Sequence, residues 1–179
     1  MIYKEFIENS ANFYHYSLLT GNIEKHYEFE NTIIDEFEIT DNENNTYYFS
    51  KILDDKTSKH KLVFFFSSYS CNSCIDSEIK NIKSYEHLID QDNIIILAQY
   101  ESIRQLRSFL SNQELTIPVY CVNSNSLNIL DTENTPFYFL INSNMKMEMF
   151  FIPIKEIPSY SKMYYMTIYK RFFEKELKF

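Results

Sequence analysis

Residues 61–79 read KLVFFFSSYSCNSCIDSEI, and the pattern changes halfway along. The first six residues are a continuous apolar run with β-branched and aromatic side chains. Such a run predicts a strand covered on both faces. From Cys71 the pattern turns helical, with Ile75, Ile79 and Ile82 recurring at spacings of four and three. Cys71 and Cys74 therefore stand at a strand-to-helix junction, one helical turn apart.

Working outward, NIIILAQY (93–100) predicts a second buried strand. SIRQLRSFLSNQEL (102–115) predicts an amphipathic helix, with Ile103, Leu106 and Leu110 inward and Ser102 as N-cap. TIPVYCV (116–122) reads as a short strand that holds Cys121 as a small buried apolar side chain. TPFYFLI (135–141) and KMEMFFI (146–152), joined by a turn at NSNM, read as a strand pair. The last stretch, from Ser159, predicts one long helix, capped by Ser159 or Ser161, with Met163, Ile168 and Phe172 on its apolar face. Upstream, residues 2–19 predict a helix with Ile2, Phe6, Phe13 and Tyr16 near one face and a stop at Thr20-Gly21. EFEIT, the turn DNENNT and YYFSKI predict a hairpin in which Phe37 and Ile39 share a face. Strand–helix–strand alternation implies parallel pairing with right-handed crossovers, and the closing pair implies antiparallel edges. The fold class is an α/β sandwich around a mixed sheet.

The chain has 179 residues, enough for one domain with a substantial core. It contains 15 Tyr, 16 Phe and a single glycine, Gly21, so tight turns must use Asn, Asp and Ser. A net charge of −8 disfavours a nucleic-acid partner. Acidic residues concentrate between 24 and 55, and basic ones in the last stretch. The plain reading of the acidic cluster is a solvated surface, and the sharper one is a docking surface for a basic partner. No apolar run is long enough to span a membrane, and the start MIYKEFIENS lacks a leader's apolar core. That leaves a cytosolic protein or a chain that begins after a removed leader or anchor.

A cysteine at a strand–helix junction meets free backbone N–H groups and the positive end of the helix dipole, which favour thiolate over thiol. The thiolate attacks a disulfide, and a second cysteine one turn later resolves the mixed disulfide. Cys71 is the expected nucleophile and Cys74 the resolving thiol. Neither Asn72 nor Ser73 supplies a cation, and Asp76 and Glu78 oppose ionisation if they point toward Cys71, so a moderately acidic thiol is expected. Two other readings stand beside this one. Half a zinc site needs further ligands, but Cys121 has no neighbouring cysteine and His15, His26, His60 and His87 lie singly. An inert cysteine pair is the other.

With these residues in view, the sequence resembles the thioredoxin superfamily, and within it the bacterial extracytoplasmic thiol–disulfide oxidoreductases of the TlpA/ResA type, relatives of the peroxiredoxins. The resemblance rests on EFEITDNENNTYYFSKIL as the opening hairpin, KLVFFFSSYSCNSC as central strand and redox motif, and NTPFYFLINSNMKM as the Thr-Pro loop, strand and turn. It covers about Glu36 to Phe151. It implies a thioredoxin-like three-layer α/β/α sandwich with N- and C-terminal helical extensions: residues 1–35 before the core, 36–152 as core, and 153–179 as closing helix. It implies thiol–disulfide exchange with protein substrates through Cys71 and Cys74, with Thr135, a cis-Pro136 and Tyr69 as substrate-binding residues. It implies no nucleotide, flavin or metal. The implied partners are protein thiols and disulfides and an upstream thiol donor, and the implied place is the periplasm or cell envelope, with a membrane tether outside the chain. The alternative function is a redox-inactive adaptor that uses the Thr135-Pro136 groove for peptides.

Departures from the family pattern are local. Ser70 replaces the usual Trp before the first cysteine, and Phe65 stands where the buried proton-transfer acid aligns. Glu78 is the remaining candidate carboxylate, although its plain reading is a charge on the outer helix surface. A peroxidase reading finds only Ser68 as a partial echo, with Arg104, Arg107 and Arg171 as unplaced cations.

Overall fold

The β-branched and aromatic run after Lys61 becomes a strand at the middle of the sheet, as its uninterrupted apolar character requires. The computed structural model describes residues 2–53, 59–111, 113, 115–123 and 134–174, with backbone alone for residues 2–15. In chain order the elements are α1 (Ile2–Phe29), β1 (Glu38–Thr40), β2 (Thr46–Tyr48), α2 (Ser50–Leu53), β3 (His60–Ser67), α3 (Asn72–Ile89), β4 (Ile94–Gln99), α4 (Ile103–Leu110), β5 (Val119–Val122), β6 (Phe137–Asn142), β7 (Met147–Phe151) and α5 (Pro158–Ile168). The strands of the described residues join in the order β2-β1-β5-β4-β3-β6-β7. β3 runs parallel to β4 from Leu62↔Ile94 to Ser67↔Gln99, and β4 runs parallel to β5. β6 lies antiparallel on the other side of β3 and carries β7. The expected mixed sheet, parallel at the centre and antiparallel at its edges, is present.

Side-chain alternation along β3 divides the interior in two. Leu62, Phe64 and Phe66 join Ile75, Ile79, Leu106, Tyr165 and Ile168 beneath α3, α4 and α5. Val63 and Phe65 point the other way, toward Phe29, Phe37, Phe49 and Phe150. Directly opposed residues of β3 and β6 stack: Phe64 on Tyr138 at 4.6 Å and Phe65 on Phe137 at 4.7 Å. Cross-strand aromatic pairs of this kind hold register, because a one-residue slip would exchange the two cores. The hairpin β1–β2 forms, with Phe37 and Ile39 in the same core as expected, but its second strand stops at Tyr48 and the Ser-Lys-Ile of YYFSKI turns into α2.

Scarcity of glycine leaves its mark on the backbone. Asn31, Asn44, Asp90 and Asn134 all take positive φ, the role glycine usually fills. Met149 does so as well, at φ 55, where the pairing of β6 with β7 shifts register by a bulge.

Three expectations are corrected. First, α1 runs through Gly21 to Phe29 instead of stopping at Thr20-Gly21. Its second half is fastened to the outer edge of the sheet. Asn22 Nδ2 donates to Ile152 O and Ile152 N donates to Asn22 Oδ1, both at 2.7 Å. Met149 N donates to Glu30 Oε2 at 2.9 Å, and Asn31 N and Thr32 O pair with Met147 at 2.8 Å each. These contacts satisfy backbone groups that an edge strand leaves open, and they outweigh a glycine cost of about 1 kcal/mol. Second, no peptide bond among the described residues is cis, so Thr135–Pro136 is trans. Asn134, at φ 62, turns the chain before the proline, and the intrinsically preferred isomer follows. Third, the closing helix begins at Pro158, whose fixed φ suits the first helical position. Ser161 is buried and does not cap, Met163 is 64% exposed, and Tyr164, Tyr165 and Ile168 form the inward face. The helix ends in a wide turn over Tyr169–Phe173, closed by Glu174 N on Tyr169 O at 2.8 Å. The placement of Phe6 and Phe13, and the tail from residue 175, lie outside what is described.

A Cβ added at Gly21 would meet nothing within 4 Å. Gly21→Ala should therefore stabilise the protein by about 0.5–1 kcal/mol through helix propensity alone. Urea unfolding should show a higher midpoint at unchanged slope, and an unchanged or lower midpoint would contradict this account of α1.

Candidate functional site

Cys71 occupies the N-cap of α3 in extended backbone geometry, φ −61° and ψ 115°. Its carbonyl accepts from Cys74 N at 2.9 Å and Ile75 N at 3.0 Å, which starts the helix. The preceding turn is locked by serines. Ser67 N donates to Ser70 Oγ and Ser70 N donates to Ser67 O, both at 3.0 Å, while Ser68 N extends the β4 ladder to Gln99 O at 2.9 Å. Ser70 is buried. At the position where the resembled family carries Trp, this chain has a side chain that closes the turn and sends Cys71 out at the helix mouth.

The two sulfurs sit in unequal surroundings. Both are free, Cys71 exposed and Cys74 half-buried. Cys71 is lowered from an ordinary 9.0 to about 7. The causes, largest first, are hydrogen bonds from the Cys74 thiol, the Ser73 hydroxyl and the Cys74 backbone N–H; slight burial opposes them, and the nearby Lys155 charge assists. Cys74 is raised to about 11 by burial first, then by its bond to Cys71 and the Cys71 charge, with Glu156 adding and Lys155 opposing. At neutral pH one sulfur is a ready nucleophile and the other holds its proton. The expectation of a moderately acidic Cys71 agrees with this. Its source was only partly anticipated, because the cation Lys155 comes from the segment after β7.

Both sulfurs open onto a groove of about 580 Å³. Leu18, Gly21 and Asn22 of α1 form one wall, and Ile152 to Glu156 form another. Thr135 lines the same groove. Pro136 is buried and is not part of the groove lining. Tyr69 is 74% exposed beside the motif and is not part of the groove lining. None of Arg104, Arg107 and Arg171 lines the groove, so the peroxidase reading gains no arginine there. Among the described residues no three His, Cys, Asp or Glu side chains gather as a metal site, and no helix is long and apolar enough to cross a membrane. Cys121 is buried in β5, which pushes its thiol up.

Sequence reasoning missed the α1 wall and Lys155. Signals for both existed. The chain's one glycine falls inside a helix, and Lys155-Glu156 is bracketed by Pro153 and Pro158. Glu78 was read as a surface charge and is instead 4% exposed. Its partners come from elsewhere: Asn81 Nδ2 and Tyr138 Oη donate at 3.0 Å each, and Ser161 Oγ at 3.2 Å. Tyr165 Oη donates in turn to Tyr138 Oη at 3.0 Å. Glu78 does not line the groove; it ties α3 to β6 and α5.

Burial raises the Glu78 carboxyl above its ordinary 4.5, against the three hydrogen bonds. A raised acid stabilises the fold most below its unfolded value, and that contribution is lost as pH rises through the folded value. Glu78→Gln removes this dependence. From about pH 4.5 upward, wild-type stability should fall relative to the variant and then level off; parallel curves would refute it.

Comparison with solved structures adds the fold. A thiol:disulfide interchange protein from Bacteroides sp. superposes with a TM-score of 0.55 at 15% identity, covering 80% of this chain and 90% of that one. The thioredoxin domain of a thiol-disulfide oxidoreductase from Bacteroides vulgatus gives 0.54 at 10%, covering 75% and 96%. BsSco, a member of the Sco family of cytochrome c oxidase assembly proteins, gives 0.52 at 11%, covering 76% and 95%. No family model matches the sequence, and a comparison with curated proteins finds no match. At such identities the likeness establishes the fold, which is thioredoxin-like as expected. The same fold serves different tasks, so function has to be argued from the site.

Proposed function

We propose that this chain is a thiol–disulfide oxidoreductase acting on protein disulfides, with Cys71 as attacking and Cys74 as resolving thiol. The observation that carries the reading is the inequality of the two sulfurs: one exposed and about half ionised near pH 7, one half-buried and protonated, on a shared groove.

The cycle balances without a cofactor. The Cys71 thiolate attacks one sulfur of a substrate disulfide, forming a Cys71–substrate bond and releasing a substrate thiolate. The negative charge on Cys71 is then gone, and with it two of the causes that hold Cys74 high. Cys74 loses its proton more readily at that moment, and the released thiolate or water takes it. The Cys74 thiolate attacks the Cys71 sulfur, forms the Cys71–Cys74 bond and frees the second substrate thiolate. The substrate gains two electrons and the pair loses two. An upstream dithiol restores the pair by the reverse exchange. Glu78 takes no part, since it does not line the groove and is engaged by Asn81, Tyr138 and Ser161.

In this proposal an extended substrate segment lies between α1 and the Ile152–Glu156 segment, with Thr135 contacting its backbone, buried Pro136 supporting Thr135, and the exposed Tyr69 ring covering the segment's end. The setting in this proposal is a bacterial cell envelope, with a protein dithiol as electron donor; that the interchange protein and the oxidoreductase above both come from Bacteroides supports its bacterial part.

Cys71→Ser should abolish reduction of a model protein disulfide, while Cys74→Ser should accumulate a mixed disulfide visible by mass. Turnover by the Cys71→Ser protein would overturn the assignment. Retained peptide binding by wild type with no exchange in either direction would favour the adaptor reading instead.

A further inference from the structure

The segment after β7 places a lysine against the motif from 82 residues away. Lys155 Nζ donates to Ser73 Oγ at 2.8 Å, and Ser73 Oγ lies 3.1 Å from Cys71 Sγ. An ammonium has donors only, so the Ser73 oxygen must accept. A serine hydroxyl has one proton and two lone pairs; with one lone pair taken by the cation the oxygen is a poorer acceptor and its proton a better donor, which favours donation to the sulfur. Without Lys155 the hydroxyl is free to rotate and to accept from a Cys71 thiol instead. The lysine thus selects the hydrogen-bond direction that suits a thiolate.

We propose that Lys155 is a positioning residue for the Cys71 nucleophile, holding Ser73 as a donor to the sulfur through a Lys155–Ser73–Cys71 relay. The proposal rests on Cys71 being the attacking thiol, and it adds a part that lies outside the Cys-x-x-Cys motif. The segment is built to hold the lysine still. Ile154 is buried beside it, Ile157 N closes a turn on Ile154 O at 2.9 Å, and prolines stand at 153 and 158.

Other charges face the same groove. Glu156 neighbours Lys155, and Glu24 and Lys25 come from α1, with Lys25 paired to Glu28 at 2.9 Å. Glu156 acts on Cys74 in the raising direction, while Lys155 favours ionisation of both sulfurs. At Cys74 the two opposite charges of this short segment therefore act against each other, while at Cys71 Lys155 acts in the lowering direction.

The test is the pH profile of iodoacetamide reaction at Cys71 in the reduced full chain, mapped by mass. Lys155→Met should raise the apparent pKa by about half a unit, the size of an exposed charged contact, and slow reaction at pH 6 about threefold. Lys155→Arg should keep most of the wild-type profile. Ser73→Ala should shift the profile in the same direction, and Lys155→Met added to it should change little further. A Lys155→Met profile that matches wild type would overturn the proposal. So would equal shifts in the Met and Arg variants, or an undiminished Lys155→Met shift when Ser73 is absent. These readouts concern the sulfur alone, so they stand apart from whether the chain turns over a protein disulfide.

Discussion

The parallel ladder between β3 and β4 is the constraint on which the rest depends. Both strands are buried on both faces, and their pairing runs without a break from Leu62↔Ile94 to Ser67↔Gln99, then one bond further at Ser68. A slip in this register would exchange the two cores, so the point where β3 leaves the sheet is fixed. Two buried serines close the turn there, and Cys71 emerges at the N-cap of α3 with nowhere else to go. The chemistry of the pair follows from position. The sulfur at the mouth meets a hydroxyl, an N–H and the neighbouring thiol as donors, and the sulfur one turn in is buried and next to a charge.

Around that fixed point the protein builds its groove from distant segments. α1 lies along the open edge of β7 and fills that strand's unmatched backbone groups with Asn22 and Glu30 side chains. This arrangement protects an edge that would otherwise invite pairing with another chain. It also sets a helix across from the cysteines, with the chain's one glycine among the lining residues. The segment after β7 completes the opposite side and carries the charges that reach the sulfurs.

What was legible in the sequence was local. β3, β4, α3 and α4 were readable because each buries a face whose period shows in its own residues. The Ser102 cap is real, with the side chain accepting from Gln105 N. Asn and Asp take over glycine's backbone role where expected. The cysteine pair and its place at a strand–helix junction were readable for the same reason. What escaped depends on partners far along the chain. Gly21 looked like a stop because its helix cost is local, whereas the bonds that carry α1 past it join residues 130 apart. Glu78 looked like a surface charge because Tyr138 and Ser161 come from β6 and α5. Met163 looked inward until the register set by Pro158 turned it to solvent. Pro153 and Pro158 mark the segment that carries Lys155, but no period or motif marks the lysine as a neighbour of Ser73.

The proposed exchange depends on two thiols in one motif with very different hold on their protons. Carbon-13 NMR of the cysteine β-carbons in the reduced protein, followed against pH, reads each sulfur separately. The Cys71 signal should titrate with a midpoint at about 7 while the Cys74 signal stays in its thiol position until about 11. Coincident midpoints near the ordinary 9.0, or Cys74 ionising before Cys71, would contradict it.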